Sequence, residues 1–406
     1  MNGKNTCLDR IAHHIAIDDF YGPGGVSTYL QNIAKENKYF EMDFFVQHKP
    51  GERRHEQLTK HSRIIRYSIP HYEYSIEKRF QRSLPKRTCA IPFTILEIYR
   101  LLHLRKLLVK NKYDIINIHH DWGLDDVIKR KIRISNLKKV FMNEKLLNKI
   151  GRYNKIGIPV LYTDHSRLCY NTPNVITSLY ENILCVDHIG YKNMIKYNNE
   201  MNAGKNLWYV PNSVDTNKFN YKNKRGSDYL RIGYAGRLGK EPIQFFFDLA
   251  NSLPKEVKLT LCFSGDATEI KRLSLEFKDR NVDIIENLPY EKMPFFYNNQ
   301  DLIIDPIDVR ANDRIIFEGM ASGCPIIMKN NVDRYPVIHN ETGYLYDGGL
   351  KDLINLIIFI NDNRKQLSRI ARNARLKIID EFSNEVVIPK LMSVYKEVIM
   401  NKLGVL

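Results

Sequence analysis

Short apolar runs alternate with amphipathic stretches along almost the whole chain, and the two periods predict different elements. RIAHHIAI at 10–17 reads as a strand, VSTYLQNIAKEN at 26–37 as a helix, and DFFVQH at 43–48 as the next strand. Ile95, Ile98, Leu102 and Leu108 recur near helical spacing across 94–111. DIINIH at 114–119, PVLYTD at 159–164 and NILCVD at 182–187 are further strands. The second half repeats the style with LWYV at 207–210, RIGYAG at 231–236, a helix over 242–252 and VKLTLCFSG at 257–265. VDIIEN, DLIIDP and CPIIMK continue it, and the pattern is helical from Leu350 to the end. Strands and helices in this rhythm predict parallel sheets. The fold class is α/β, with two doubly wound, Rossmann-like domains in preference to one large sheet. The boundary falls near 205, giving a first domain over 1–205, a second over 206–385 and a closing helix over 386–406. Residues 51–92 are basic and aromatic, with Tyr67, Tyr72, Tyr74 and Phe80, and read as a long insertion or mobile loop.

Composition narrows the class. With 406 residues, 43% apolar and 27% charged, the chain can bury two or three cores, which excludes disorder or a fibrous scaffold as its main state. No apolar run approaches the ~18–20 residues that cross a bilayer. The longest, LINLIIFI at 353–360, reads as the buried side of one helix. MNGKNTCLDR at the start lacks the apolar region of a secretory signal. Six cysteines at 7, 89, 169, 185, 262 and 324 form no CxxC pair and no zinc spacing. Scattered cysteines suit a reducing compartment and place the protein in the cytoplasm. The net charge of +16 is uneven: residues 51–150 hold 23 Lys/Arg against 10 Asp/Glu, and residues 201–406 hold 29 against 26. A basic first half suits nucleic acid, anionic lipid or a phosphorylated substrate, and charge alone leaves that choice open.

Open parallel sheets bind ligands at the carboxyl ends of their strands, so residues just after strands carry the chemistry. Gly22-Pro23-Gly24-Gly25 lies between the first strand and first helix, where backbone N–H groups can meet an anion; it equally describes a tight βα turn. Asn212-Ser213-Val214-Asp215, followed by Phe219, makes a well-formed turn after a strand. Gly236-Arg237-Leu238-Gly239-Lys240 puts two cations at a strand end, either to dock a diphosphate or as surface charge. Glu318, on the helix FEGMASG, can accept from two hydroxyls such as a ribose offers, or be a solvated helix charge. His119, His120 and Asp121 follow one strand, and Asp164-His165 another; each histidine is a sugar or oxyanion donor or a structural residue.

Taken in order, these pieces resemble the retaining glycosyltransferases of family 4. GPGGVSTYL is similar to that family's glycine loop, DIINIHHD and VLYTDH to its two histidine strands, and VPNSVDTNKF to its interdomain segment. YAGRL resembles the diphosphate loop, FEGMASGCPII the donor-nucleotide helix, and TGYLYD the segment after it. The resemblance covers almost the whole chain and implies the GT-B fold, with parallel sheets facing across a cleft and the last helix folding back on the first domain. It implies a retaining, metal-independent enzyme that moves a sugar from a nucleotide-diphosphate sugar to a glycan or lipid-linked acceptor in envelope polysaccharide or glycolipid assembly. No cofactor is expected, because the nucleotide sugar enters as substrate.

Carried over by residue, the resemblance gives His165, Arg237 and Lys240 to catalysis and Gly236, Asn212, Glu318, Asn312 and Gly265 to the donor. Gly24, Gly25, His119 and His120 fall on the acceptor or phosphate side. Two departures stand out. Arg310 occupies the position of the family's first Glu, with Asn312 or Asp313 the candidate in its place, and Lys240 follows Arg237 more closely than in the family. The basic first half suggests peripheral contact with an anionic membrane. Three other readings stay open: a nucleic-acid-binding scaffold, which no motif supports, a glycosyltransferase scaffold without turnover, and a nucleotide-sugar epimerase.

Overall fold

The apolar runs become two separate sheets, one in each of two units: residues Met1–Pro211 with Ile388–Leu406, and residues Asn212–Val387. A computed structural model of the chain describes residues 8–15, 20–21, 25–48, 51–67, 110–119, 157–165, 168–171, 173–221, 228–239, 243–278, 280–306, 314–331 and 333–403. The helical spacing over 94–109 and the basic, aromatic stretches at 68–109 and 120–156 lie outside these residues.

In the first unit the elements are β1 (Arg10–Ile15), α1 (Gly25–Glu36), β2 (Glu41–Gln47), β3 (His55–Thr59), β4 (Ser62–Tyr67) and β5 (Ile115–His119). β6 (Val160–Asp164), α2 (Leu168–Asn171), α3 (Pro173–Leu179), β7 (Asn182–Cys185), α4 (His188–Glu200) and β8 (Asn206–Tyr209) follow. The strands lie in the order β3-β4-β2-β1-β5-β6-β7-β8, all parallel except β3. One face buries Ala12, Ile116, Ile118, Tyr162 and Ile183 in an apolar cluster. A parallel sheet covered on both faces normally reads as unbroken apolar residues. Here His13, Asn117, His119 and Thr163 are fully buried in the middle of it.

Two expectations are corrected. Part of the stretch read as an insertion, 55–67, is a hairpin: His55–Thr59 pairs antiparallel with Ser62–Tyr67 and extends the sheet. The polar, charged character of HEQLT, which is only part-buried, hid an edge strand, where apolar alternation is not required. LWYV was read with the second half, but β8 pairs with β7 in the first sheet, and Val210 N–H continues that ladder to the Cys185 carbonyl at 3.1 Å. An edge strand that is only half-buried carries too little pattern to show which sheet it joins.

The second unit runs β9 (Leu230–Arg237), α5 (Ile243–Ser252), β10 (Val257–Ser264), α6 (Ala267–Glu276), β11 (Val282–Glu286), α7 (Met293–Asn298) and β12 (Leu302–Asp305). α8 (Arg314–Ala321), β13 (Ile326–Lys329), β14 (Gly343–Tyr346), α9 (Leu350–Asp362) and α10 (Leu367–Phe382) complete it. Its parallel strands lie in the order β11-β10-β9-β12-β13-β14. α8 is buried along its length after Arg314, because Gly319 lets it settle against Ile303 and Ile326. LINLIIFI lies on α9, which buries Leu353, Ile357 and Ile360 and leaves Ile358 and Phe359 exposed. α11 (Asn384–Leu403) starts in the second unit and ends in the first. Among the described residues no helix is long and apolar enough to cross a membrane.

Candidate functional site

Numbered within each unit, the parallel strands follow the order 3-2-1-4-5-6 in the second sheet and 3-2-1-4-5-6-7 in the first. The chain reverses direction across the sheet between strands 1 and 4, which opens a crevice at their carboxyl ends. That point lies between β9 and β12 in the second unit and between β1 and β5 in the first.

Arg237 ends β9 at the second switch point. Its side chain is exposed and, among the described residues, makes no ion pair, so a positive charge stands at the strand end. Gly236 precedes it, and any side chain there would collide with the buried Tyr234 hydroxyl. Packing alone therefore demands this glycine. Leu238 N–H bonds the Ser264 carbonyl at 2.8 Å and carries the ledge across to Gly265 after β10. Gly265 has φ +154°, and a Cβ on it would press on Leu238 at 3.1 Å. The Asn287 side chain clamps Gly265 from β11, accepting its N–H at 2.9 Å and donating to its carbonyl at 3.1 Å.

Glu318 on α8 is 4% exposed, not a solvated helix charge. It accepts from the Tyr290 hydroxyl at 3.1 Å, the Tyr297 hydroxyl at 3.0 Å and the Arg314 guanidinium one turn earlier. A carboxylate has about four acceptor sites, so three of them face protein donors. Arg314 lies over the Tyr290 ring at 4.5 Å and the Lys218 ammonium over the same ring at 3.6 Å. Burial lowers the Lys218 pKa, against the opposing pull of Glu291 and Glu318. Burial and the Glu318 carboxylate raise those of Tyr290 and Tyr297.

The segment after Asn212 anchors this cluster. The Asp215 carboxylate accepts from the N–H groups of Asn217 and Lys218 at 3.1 and 2.9 Å and so turns the chain. Val214 bridges Ser383, and Phe219 is fully buried beside Tyr290 and Tyr297. Asn212 itself is half-buried at the first residue of the unit.

In the first unit the structure brings His119 and His165 together and adds a residue the sequence did not single out, His13. His13 Nδ1 lies 2.9 Å from His119 Nε2, and His119 Nδ1 lies 3.1 Å from His165 Nε2. Burial depresses the His13 pKa to about 3, despite the pull of Asp43. Burial, and then the neighbouring imidazoles, push that of His119 well below the usual value. Among the described residues no group of His, Cys, Asp and Glu is arranged to hold a metal ion. Gly25 is the exposed first residue of α1. Gly24, His120, Lys240 and Asn312, with Arg310 and Asp313, lie outside the described residues.

Sequence reasoning missed Lys218, Tyr290, Tyr297 and Arg314 around Glu318. Arg314 had a signal, standing four residues before Glu318 on one helix face. The tyrosines, from elements before α8, had none.

Residues 215–377, nearly all of the second unit, match the family model described as Glycosyl transferases group 1. No curated protein matches the chain. Among solved structures, sucrose-phosphate synthase from Thermosynechococcus elongatus is similar at 16% identity with a TM-score of 0.71, covering 97% of this chain and 100% of that one. Anabaena HepE in complex with UDP and glucose is similar at 14% identity and 0.63, covering 95% and 99%. The catalytic domain of starch synthase IV from Arabidopsis thaliana, bound to ADP and acarbose, is similar at 12% and 0.64, covering 97% and 100%. At these identities the likeness establishes the fold, two α/β units of GT-B type.

Proposed function

From a group 1 glycosyl transferase domain at 215–377 in a chain of GT-B fold, we propose that the protein moves a sugar from a nucleotide-diphosphate sugar to a glycan or lipid-linked acceptor. The observation that carries this reading is the exposed Arg237 at the switch point of a sheet whose unit matches that family. An arginine fork there suits a diphosphate, and charge stabilisation of the leaving diphosphate is what this reaction needs most. HepE with UDP and glucose, and starch synthase IV with ADP, bind two different nucleoside diphosphates, so the base is left to experiment.

The proposed course is retaining and needs no metal. The bond between the anomeric carbon and the diphosphate oxygen breaks, and a bond to the acceptor hydroxyl forms on the same face. The hydroxyl proton passes to the departing phosphate. In this reading Arg237, Lys240 and the ledge at Leu238–Gly265 are assigned to the diphosphate, His165 to the sugar, and Glu318 to the ribose. The acceptor falls to the first unit, whose basic stretches suit an anionic membrane face.

The test is a thermal-shift screen of wild type and Arg237→Ala against UDP, GDP, ADP and CMP with their matched sugars. A ligand at 100 times its Kd stabilises by about 2.7 kcal/mol. One nucleoside diphosphate should shift wild type and not the variant. If none shifts wild type at millimolar concentration, the donor site is lost. A second reading, binding without turnover, is favoured by one observation: protein donors already occupy the carboxylate assigned to the ribose. Sugar transfer or release from the bound donor ends it.

A further inference from the structure

The buried polar diagonal of the first sheet has an order to it. In the register of β1 and β5, His13 lies level with Asn117 and Ile15 with His119. Between β5 and β6, His119 lies level with Thr163, two residues before His165. The three imidazoles therefore climb toward the carboxyl ends as they cross the switch point, from the fully buried His13 and His119 to the half-buried His165. Their planes are held from outside: His13 stacks on Phe44 at 4.5 Å, and the edge of Tyr29 packs on His165 at 4.8 Å.

A neutral imidazole has one N–H and one lone pair. Each contact in the chain needs one of each, so only two arrangements of hydrogens satisfy both contacts. In one, every ring carries hydrogen on Nδ1 and donates toward His165. In the other, every ring carries it on Nε2 and donates toward His13. The remaining nitrogen decides between them, because His13 Nε2 is buried without a partner. It is a bare lone pair in the first arrangement and an orphaned N–H in the second. Orphaned buried N–H groups are the rarer defect.

We propose that His13, acting through His119, fixes His165 as the Nδ1–H tautomer, so that His165 serves as a hydrogen-bond donor to an oxygen acceptor and its Nε2 is closed to a proton. His13 and His119 are positioning residues. The identity of the acceptor, a hydroxyl or phosphate oxygen of a nucleotide sugar, rests on the glycosyl-transfer reading; the tautomer does not.

The test reads ring nitrogens directly, by two-bond proton–nitrogen correlation in the full-length protein labelled with 15N-histidine at pH 7. His13, His119 and His165 should each show a single neutral Nδ1–H pattern. His13→Asn puts an amide N–H where Nδ1 stands and should keep the pattern at His119 and His165. His13→Phe keeps the stack on Phe44 but has no donor, and His165 should then lose its single pattern to a mixture of tautomers. An Nε2–H or charged His165 in wild type overturns the proposal, as does an unchanged pattern in His13→Phe. If that variant does not fold, wild type and His13→Asn still decide. No nucleotide is present in the measurement, so a failed donor screen leaves it standing, and a successful one does not rescue it.

Discussion

At the switch point of the first sheet, β1 and β5 carry His13 and His119, fully buried and held neutral in a chain of imidazoles. At the switch point of the second, β9 ends in the exposed cation Arg237, and α8 brings the buried ion pair of Glu318 and Arg314. Around both switch points the strand order is the same and the electrostatics are opposite. Charge is cheap where it reaches water and costly where it does not, so a buried polar site stays neutral or pairs its charges. The second unit uses both solutions for charge. The first uses neutrality at its switch point, and keeps ion pairs, such as those of the buried Asp43 with Arg10 and Arg63, elsewhere in its sheet.

Acid should separate the two most sharply. The folded-state pKa of His13, about 3, lies below the unfolded value near 6.5, and that of His119 is depressed too. Between those values the unfolded chain binds protons that the folded one refuses. The stability is thus present above about pH 6.5 and lost as pH falls below it. At pH 5 His13 withdraws roughly 2 kcal/mol, and His119 acts in the same direction. Both tryptophans, Trp122 and Trp208, lie in the first unit, so fluorescence-detected urea unfolding at pH 7 and 5 reports it. His13→Phe should make the drop smaller by roughly 2 kcal/mol. The second unit holds one histidine, the exposed His339, and none is buried in it. A flat profile in the first unit would break the contrast.

Next in size is Glu318→Ala. Breaking a buried pair costs about 3–5 kcal/mol, and Arg314 keeps 24% of its side chain exposed, which points to the lower end, about 3 kcal/mol. Calorimetry of the second unit's transition reads it. A cost near zero would mean that the cluster does not hold this carboxylate and that it stands open to a ribose.

Arg237→Ala should do the reverse and leave stability within about 0.5 kcal/mol, since the side chain is exposed. Sugar transfer should fall ~100-fold or more, about 2.7 kcal/mol of transition-state stabilisation. Activity within a factor of two of wild type would remove Arg237 from the diphosphate.

The fold was legible because its strands are buried on both faces: RIGYAG, DLIIDP and CPIIMK are apolar runs that a parallel sheet requires. The edges were not. HEQLT and NLWY are both only half-buried, so neither declared its sheet. The places of candidate residues were legible at strand ends: Arg237 ends β9, and Gly265 and His165 directly follow β10 and β6. What surrounds Glu318 was not, because Lys218, Tyr290 and Tyr297 come from three elements that only packing brings together. His13 was hidden differently. Inside RIAHHIAI it looked like a filler of a buried strand, and only the register with β5 shows that it meets His119.

The smallest test asks whether the closing helix shares the first unit's neutral network. Asn117 donates from Nδ2 to the Tyr395 hydroxyl at 2.8 Å and accepts from Thr163 at 2.8 Å, so α11 is tied to the middle of the first sheet beside the histidines. Tyr395→Phe keeps the ring that packs on His13 and removes only the acceptor, leaving a buried N–H without a partner. The expected cost is about 1 kcal/mol. It should fall on the fluorescence-detected transition, with the second unit's calorimetric transition unmoved. If the second unit lost stability instead, α11 would belong to it although Tyr395 packs in the first. The neutral region would then not be a property of one unit.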